Sequence, residues 1–210
     1  MNQLQKMLLK EGKMLPVMEA FYSLQGEGFN TGQAAYFIRI GGCDVGCKWC
    51  DVKESWNSSN FSPVSTDIIV QNAIAYPAKA IVVTGGEPLL FNMDYLCSEL
   101  HSQAIKLFLE TSGSQPLSGF WDWICISPKK DAPLIKEVAL QANELKVIIH
   151  DNSDFQWGEE NSQYVSQSCI LYMQPEWSRR EMMMPGIISY IKANPKWRIS
   201  LQSHKYMHIP

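Results

Sequence analysis

Nowhere in this sequence do about 18 apolar residues run together, the length that a membrane-spanning helix needs. The stretch Met1 to Pro16 also lacks the unbroken apolar core of a signal peptide, because Lys6, Lys10, Glu11 and Lys13 interrupt its Leu and Met residues. Charge of one sign is scarce: the net charge is −3, and no broad basic surface speaks for nucleic-acid binding. No internal repeat or low-complexity tract stands out. These absences leave a soluble, cytoplasmic protein with no membrane and no nucleic-acid partner as the expectation. In that compartment cysteines serve metals or catalysis more often than disulfides. What is present is an ordinary globular balance, 46% hydrophobic and 19% charged over 210 residues. That length suits one domain over 1–210, with 1–15 set apart as an N-terminal extension.

A fourth clustered cysteine is missing too. Cys43, Cys47 and Cys50 fall within eight residues in a C-x3-C-x2-C spacing, and the other three cysteines stand alone in apolar runs. A structural zinc site closes with four protein ligands, and a ferredoxin-type [4Fe-4S] cluster uses four cysteines. Three thiolates leave one iron open to a small molecule, the arrangement expected where a cluster acts on a ligand. A zinc knuckle completed by His101 or His204 is the plain alternative, as is an electron-transfer cluster with a distant fourth cysteine. Cys97, Cys125 and Cys169 read as core residues, where free cysteine behaves as a small hydrophobe.

Along the chain, β-rich runs occur at 17–24, 34–40, 80–83, 105–109, 123–126, 145–149, 169–173 and 197–201. Helical spacing spans 66–76, 93–103 and 179–193, the last interrupted by Pro185-Gly186. Continuous apolar strands alternating with helices predict an α/β fold with a mostly parallel sheet covered on both faces. The chain is shorter than the ~250 residues of a complete eight-unit barrel, so the expectation is a partial, open (β/α) barrel. Its Gly-rich and polar clusters fall at the carboxyl ends of strands, where such folds place their sites. One of them is Thr84-Gly85-Gly86-Glu87-Pro88, whose glycines let backbone groups approach a ligand and whose Glu can fix an amino group.

The cysteine spacing, the aromatic Trp49 before the third cysteine and the Gly-Gly-Glu-Pro strand end together resemble the radical S-adenosylmethionine (SAM) superfamily. A narrower resemblance is to the 7-carboxy-7-deazaguanine synthase family. It runs through Phe21 to Gly28, Phe37 to Cys43, Trp49-Cys50-Asp51, Glu110 to Gly113, Ser127-Pro128-Lys129, Gln174-Pro175 and Leu201 to Pro210. The superfamily resemblance implies that Cys43, Cys47 and Cys50 hold three irons of a [4Fe-4S] cluster, whose fourth iron chelates SAM. Cleavage of SAM then yields a 5′-deoxyadenosyl radical, so that no protein acid or base need be the catalytic residue. The narrower resemblance implies conversion of 6-carboxy-5,6,7,8-tetrahydropterin to 7-carboxy-7-deazaguanine with loss of ammonia, on the route to queuosine.

Carried onto these positions, the resemblance implies SAM contacts at Gly86, Glu87, Ser127, Pro128, Lys129, Gln174, Pro175, Glu176 and Trp177, with Glu110 near the ribose. It implies substrate contacts at Leu24, Gln25, Gly26, Arg39, Thr84 and Pro210. Arg39 lies inside an apolar run, which favours a pocket over an exposed strand position, and its fork suits the substrate carboxylate. Trp49 shields the cluster or lies against an aromatic ligand such as adenine; simple packing is the alternative. Many family members carry Thr or Ser after Cys-Asp to help hold Mg2+. This chain has Val52, without a side-chain oxygen for a hard cation, which leaves Mg2+ an open cofactor. An electron donor such as flavodoxin or ferredoxin and a homodimer complete the implied partners, with Met182-Met183-Met184 as interface or core. An activating enzyme of a glycyl-radical protein is the enzymatic alternative, disfavoured by Arg39 and Gln25-Gly26-Glu27-Gly28.

Overall fold

The structure is a computed structural model that describes residues 2–210. The chain runs α1 (Gln3–Lys10), β1 (Met14–Leu15), β2 (Val17–Leu24), β3 (Ala34–Ile40), β4 (Val64–Ser65), α2 (Thr66–Ile74), β5 (Ala80–Gly85) and α3 (Asp94–His101). It continues through β6 (Lys106–Thr111), β7 (Trp123–Ile126), α4 (Lys136–Ala139), β8 (Glu144–Ile149) and α5 (Ser153–Ser162). The last elements are β9 (Ile170–Pro175), α6 (Arg180–Ala193), β10 (Trp197–Ile199) and α7 (Ser203–Met207). Eight strands form one sheet in the order β10-β9-β8-β7-β6-β5-β3-β2. All neighbours are parallel except β2 and β3, which form an antiparallel hairpin. The sheet is mostly parallel and not closed into a barrel, as the alternating pattern predicts. No helix is long and apolar enough to cross a membrane among the described residues.

Strand parity decides which side chains can do chemistry, because successive residues point to opposite faces. Tyr36, Ile38 and Ile40 of β3, Ile81 and Val83 of β5, and Leu107 and Leu109 of β6 join the main core under the helices. So do Leu145 and Val147 of β8 and Leu171 and Met173 of β9. The opposite parity carries Phe37 and Arg39, Val82 and Thr84, Glu110, Lys146 and Ile148, and Gln174, all of which line a cavity on the concave face. A second, smaller cluster of Ala35, Phe37, Ala80, Val82 and Phe108, with Phe21 stacked on Phe37 at 5.1 Å, fills this concave face below the cavity. Both faces are thus buried at their lower ends, which is why these strands read as continuous apolar runs.

The gap between the edge strands β2 and β10 is spanned by loops. Ser203 donates from both its backbone N and its Oγ to the Gly26 carbonyl at 2.8 Å, and Gly28 N donates to Ser200 Oγ at 3.0 Å. Gln202 Nε2 donates to Glu27 Oε1 at 2.9 Å. Of the stretch read as an extension, Met14 and Leu15 are tied in: β1 pairs antiparallel with β4, and Leu15 is fully buried in the main core. Helix α6 runs unbroken through Pro185, and Pro185 lies on its exposed side, where the carbonyl freed by the missing N–H meets water. The methionine run divides: Met182 is exposed and Met183 is core.

Candidate active site

A cavity of about 310 Å3 opens at the carboxyl ends of the parallel strands. One wall is the cysteine loop that follows β3. Its backbone is fixed on two sides: Gly42 N donates to Ser55 O at 2.6 Å, Cys43 N to Trp56 O at 3.1 Å, and Glu87 N to Gly42 O at 2.8 Å. The end of β5 fits against this loop only because it is Gly85-Gly86. Gly85 adopts φ +143°, and a Cβ on Gly86 would lie 2.2 Å from Gly42 O and 2.8 Å from Cys43 Cβ. The glycine pair therefore makes room for the cysteine loop's own backbone, and both glycines also line the cavity.

Cys43, Cys47 and Cys50 all line the cavity, with Cys47 buried and the other two half-buried. Burial pushes the Cys43 and Cys47 thiols up; at Cys47 the Lys129 ammonium works the other way. Lys129 Nζ donates to Ser127 O at 2.5 Å and to Ser127 Oγ at 2.6 Å, and sits 5.6 Å from the centre of the Trp49 ring. Trp49 thus carries a cation on its ring. Cys97, Cys125 and Cys169 are buried, and none belongs to the cavity lining. Burial drives the Cys97 and Cys169 thiols up to about 12, fitting core residues and not ligands.

Gly86, Ser127, Lys129, Gln174, Pro175, Glu176 and Trp177 line the same cavity, as do Leu24, Gln25, Gly26, Arg39, Thr84 and Pro210. Arg39 and Thr84 are partners in the β3–β5 register. The Arg39 Nε donates to Glu19 Oε1 at 2.6 Å across the hairpin, which orients the guanidinium and leaves its two terminal nitrogens for another group. Trp177 packs against Arg180 at 4.3 Å and Lys205 at 5.1 Å. Two expected contacts stand off the cavity lining, Pro128 and Glu87. Glu87 is fully buried, and its carboxylate accepts from Leu89 N, Thr111 Oγ1, Ser112 N and Ser112 Oγ. It ties the end of β5 to the end of β6.

Residues 37–140 match the radical SAM superfamily. A 7-carboxy-7-deazaguanine synthase from Flavobacterium psychrophilum is 54% identical over 202 residues, covering 96% of each chain. The chain belongs to the 7-carboxy-7-deazaguanine synthase family. A family member from Synechocystis is 44% identical, over 92% of this chain and 93% of its own. Among solved structures, the crystal structure of QueE from Escherichia coli superposes with a TM-score of 0.83 at 26% identity, over 97% of this chain and 100% of that one.

Against this family background, the loop after Cys50 offers no cation site. Val52 is aliphatic, and the Asp51 carboxylate is already paired with Lys205 Nζ at 2.9 Å. The residues present do not fit Mg2+. They do fit an iron–sulfur cluster: three thiols on one cavity wall, with a lysine ammonium beside them.

The cavity floor gives Lys146 and Gln202 roles that sequence reasoning passed over, and gives Glu27, Glu110 and His204 neighbours that it did not foresee. Lys146 Nζ pairs with Glu27 Oε2 at 2.6 Å and Glu110 Oε2 at 2.9 Å. His204 packs on Gly26, and burial pushes its imidazole pKa down. The signal for Lys146 was available, since Leu145-Lys146-Val147-Ile148-Ile149 places a charge inside an apolar strand just as Arg39 does. Nothing local in the sequence marks Gln202, whose role comes from the closure between β2 and β10.

Proposed function

We propose that this radical SAM enzyme converts 6-carboxy-5,6,7,8-tetrahydropterin to 7-carboxy-7-deazaguanine with loss of ammonia, in queuosine and 7-deazapurine biosynthesis. The observation that carries the reading is that the three-cysteine wall and the Arg39–Thr84 pair line one cavity. Cys43, Cys47 and Cys50 would hold a [4Fe-4S] cluster, with SAM bound against Gly86, Ser127, Lys129 and Gln174 to Trp177. When bound, these groups supply a 5′-deoxyadenosyl radical.

The chain's own contribution is positional. The terminal nitrogens of Arg39, steadied by Glu19, suit the substrate carboxylate. Phe21, Phe37 and Val82 give the cavity an apolar base that keeps water from the reacting carbon. Lys129 offsets negative charge at the cysteine wall. Asp44, Gly46 and Lys48 of the same loop are exposed, which suits electron delivery from a donor of the flavodoxin or ferredoxin type. A homodimer could use exposed Met182 and Ile188 of α6.

The test is mass spectrometry of one anaerobic mixture containing reconstituted protein, SAM, a strong reductant and the pterin. A product lighter than the pterin by one ammonia is expected. Formation of 5′-deoxyadenosine with the pterin untouched would overturn the substrate.

A further inference from the structure

We infer that Lys146 is a positioning residue for substrate recognition. Its ammonium, seated between Glu27 and Glu110, aims two carboxylates into the cavity as acceptors for the N–H edge of a heterocycle. The inference rests on the pterin reading above and adds the device that would recognise the ring.

The geometry is specific. Lys146 is 4% exposed, deep in a parallel sheet, where an unpaired ammonium would cost several kcal/mol. Two of its three donors go to Glu27 and Glu110, at 2.6 and 2.9 Å. The other titratable groups that face it are Glu144, Cys125, His204 and Lys129. Glu144, two residues back on the same strand face, is 2% exposed, and burial pushes its carboxyl pKa up. One of its oxygens accepts from Phe29 N and Trp123 Nε1, both at 3.1 Å. Burial pushes the Cys125 thiol well above its ordinary value, so it stays neutral. Burial also keeps the His204 imidazole neutral near pH 7, while the Lys129 ammonium, hydrogen-bonded to Ser127 and beside Trp49, keeps its positive charge toward the cysteine wall. Within this triad, two carboxylates around one ammonium leave acceptor oxygens in excess of the donors that Lys146 supplies.

An ionised carboxylate only accepts hydrogen bonds and has about four lone-pair positions. Glu27 and Glu110 line the cavity, and Lys146, Gln202 and Gln174 at Glu27, with Lys146, Gln25 and Cys125 at Glu110, use only part of that capacity. The complementary ligand edge has adjacent N–H donors and no charge of its own, as the 2-amino-4-oxopyrimidine ring of a pterin does. Arg39 takes the carboxylate of such a ligand, and the Lys146 cluster takes the ring.

The probe is 6-carboxypterin, whose binding is read by its fluorescence across pH without turnover, alongside the pH profile of product formation. In Lys146→Met the two carboxylates face each other without a cation and share a proton. Pterin affinity at pH 7 should then fall by roughly tenfold or more, about 1.4 kcal/mol. The acid limb of kcat/KM should move up by about one pH unit or more. Lys146→Arg should keep the acid limb in place. If Lys146→Met does not fold, Glu27→Gln serves: it should weaken pterin binding while the limb stays put. Wild-type affinity and an unmoved limb in Lys146→Met, or unchanged affinity in Glu27→Gln, would overturn the proposal. So would equal losses in Met and Arg variants with an unmoved limb, which would mark a packing role. Failure of the wild type itself to bind the pterin would overturn the substrate reading and this proposal together.

Discussion

Replacing Gly26 by alanine probes the closure between β2 and β10 with one methyl group. Gly26 has an ordinary backbone conformation, so alanine brings no torsional strain there, and the effect is steric alone. The added Cβ would lie 2.2 Å from His204 Nδ1 and 2.7 Å from both His204 Cβ and Cγ. The Cβ–Cβ separation is about 1 Å short of an ordinary carbon contact, and Cβ cannot swing away as a side-chain tip could. The His204 backbone has to move, and the two bonds from Ser203 to the Gly26 carbonyl move with it. Overpacking of this kind costs about 1–3 kcal/mol. Ser203 to Pro210 rests on few bonds, so this segment should open before the sheet does. At tenfold per 1.4 kcal/mol, hydrogen exchange of the Ser203 amide should speed up roughly 5- to 140-fold. The melting temperature should fall by roughly 2–10 °C. In a His204→Gly background the same substitution should cost nothing measurable. Wild-type exchange at Ser203 together with a wild-type melting temperature in Gly26→Ala would refute the reasoning.

Arg39→Ala should abolish turnover while SAM binding, measured by equilibrium dialysis, persists; turnover at wild-type KM would remove Arg39 from the substrate carboxylate. Replacing Cys97, Cys125 and Cys169 together with alanine should leave the iron content of the reconstituted protein intact, whereas alanine at Cys43, Cys47 or Cys50 should lower it. Burial works against the charge of Glu27, but Lys146 and hydrogen bonds from Lys146, Gln202 and Gln174 outweigh it and hold its pKa at about 2, against an ordinary 4.5. Its stabilisation, on the order of 3 kcal/mol, is therefore complete above pH 4.5 and is lost as pH falls towards 2. Urea unfolding between pH 5 and pH 2 should show a shallower loss of stability in Glu27→Gln, and equal slopes would contradict the pairing.

The strands were legible because burial on both faces writes continuous apolar runs, and each predicted run lies on an observed strand. Helix α5 was not, because its buried residues are Asp154, Gly158 and Asn161, which leave no apolar stripe. The expected break at Pro185 failed because an exposed proline frees a carbonyl that water can satisfy. At the site, Cys43, Cys47, Cys50 and Arg39 announced themselves by spacing or by charge within an apolar run. Glu87 looked like a ligand contact, yet Thr111 and Ser112 on the next strand occupy its oxygens. The pairing of Lys146 with Glu27 joins residues 119 positions apart, which no local pattern encodes.

The bonds that join β2 to β10 link residues 172, 175 and 177 positions apart. A growing chain therefore presents Gln25-Gly26-Glu27-Gly28 and then the whole cysteine loop long before Ser200 to His204 exist. Contacts of such separation are formed late, since their loop-closure entropy is met only once the rest of the sheet is in place. Until then the face that carries Cys43, Cys47 and Cys50 lacks its closing bonds along one side. The wall that closes the cavity is thereby the last part of it that the chain supplies.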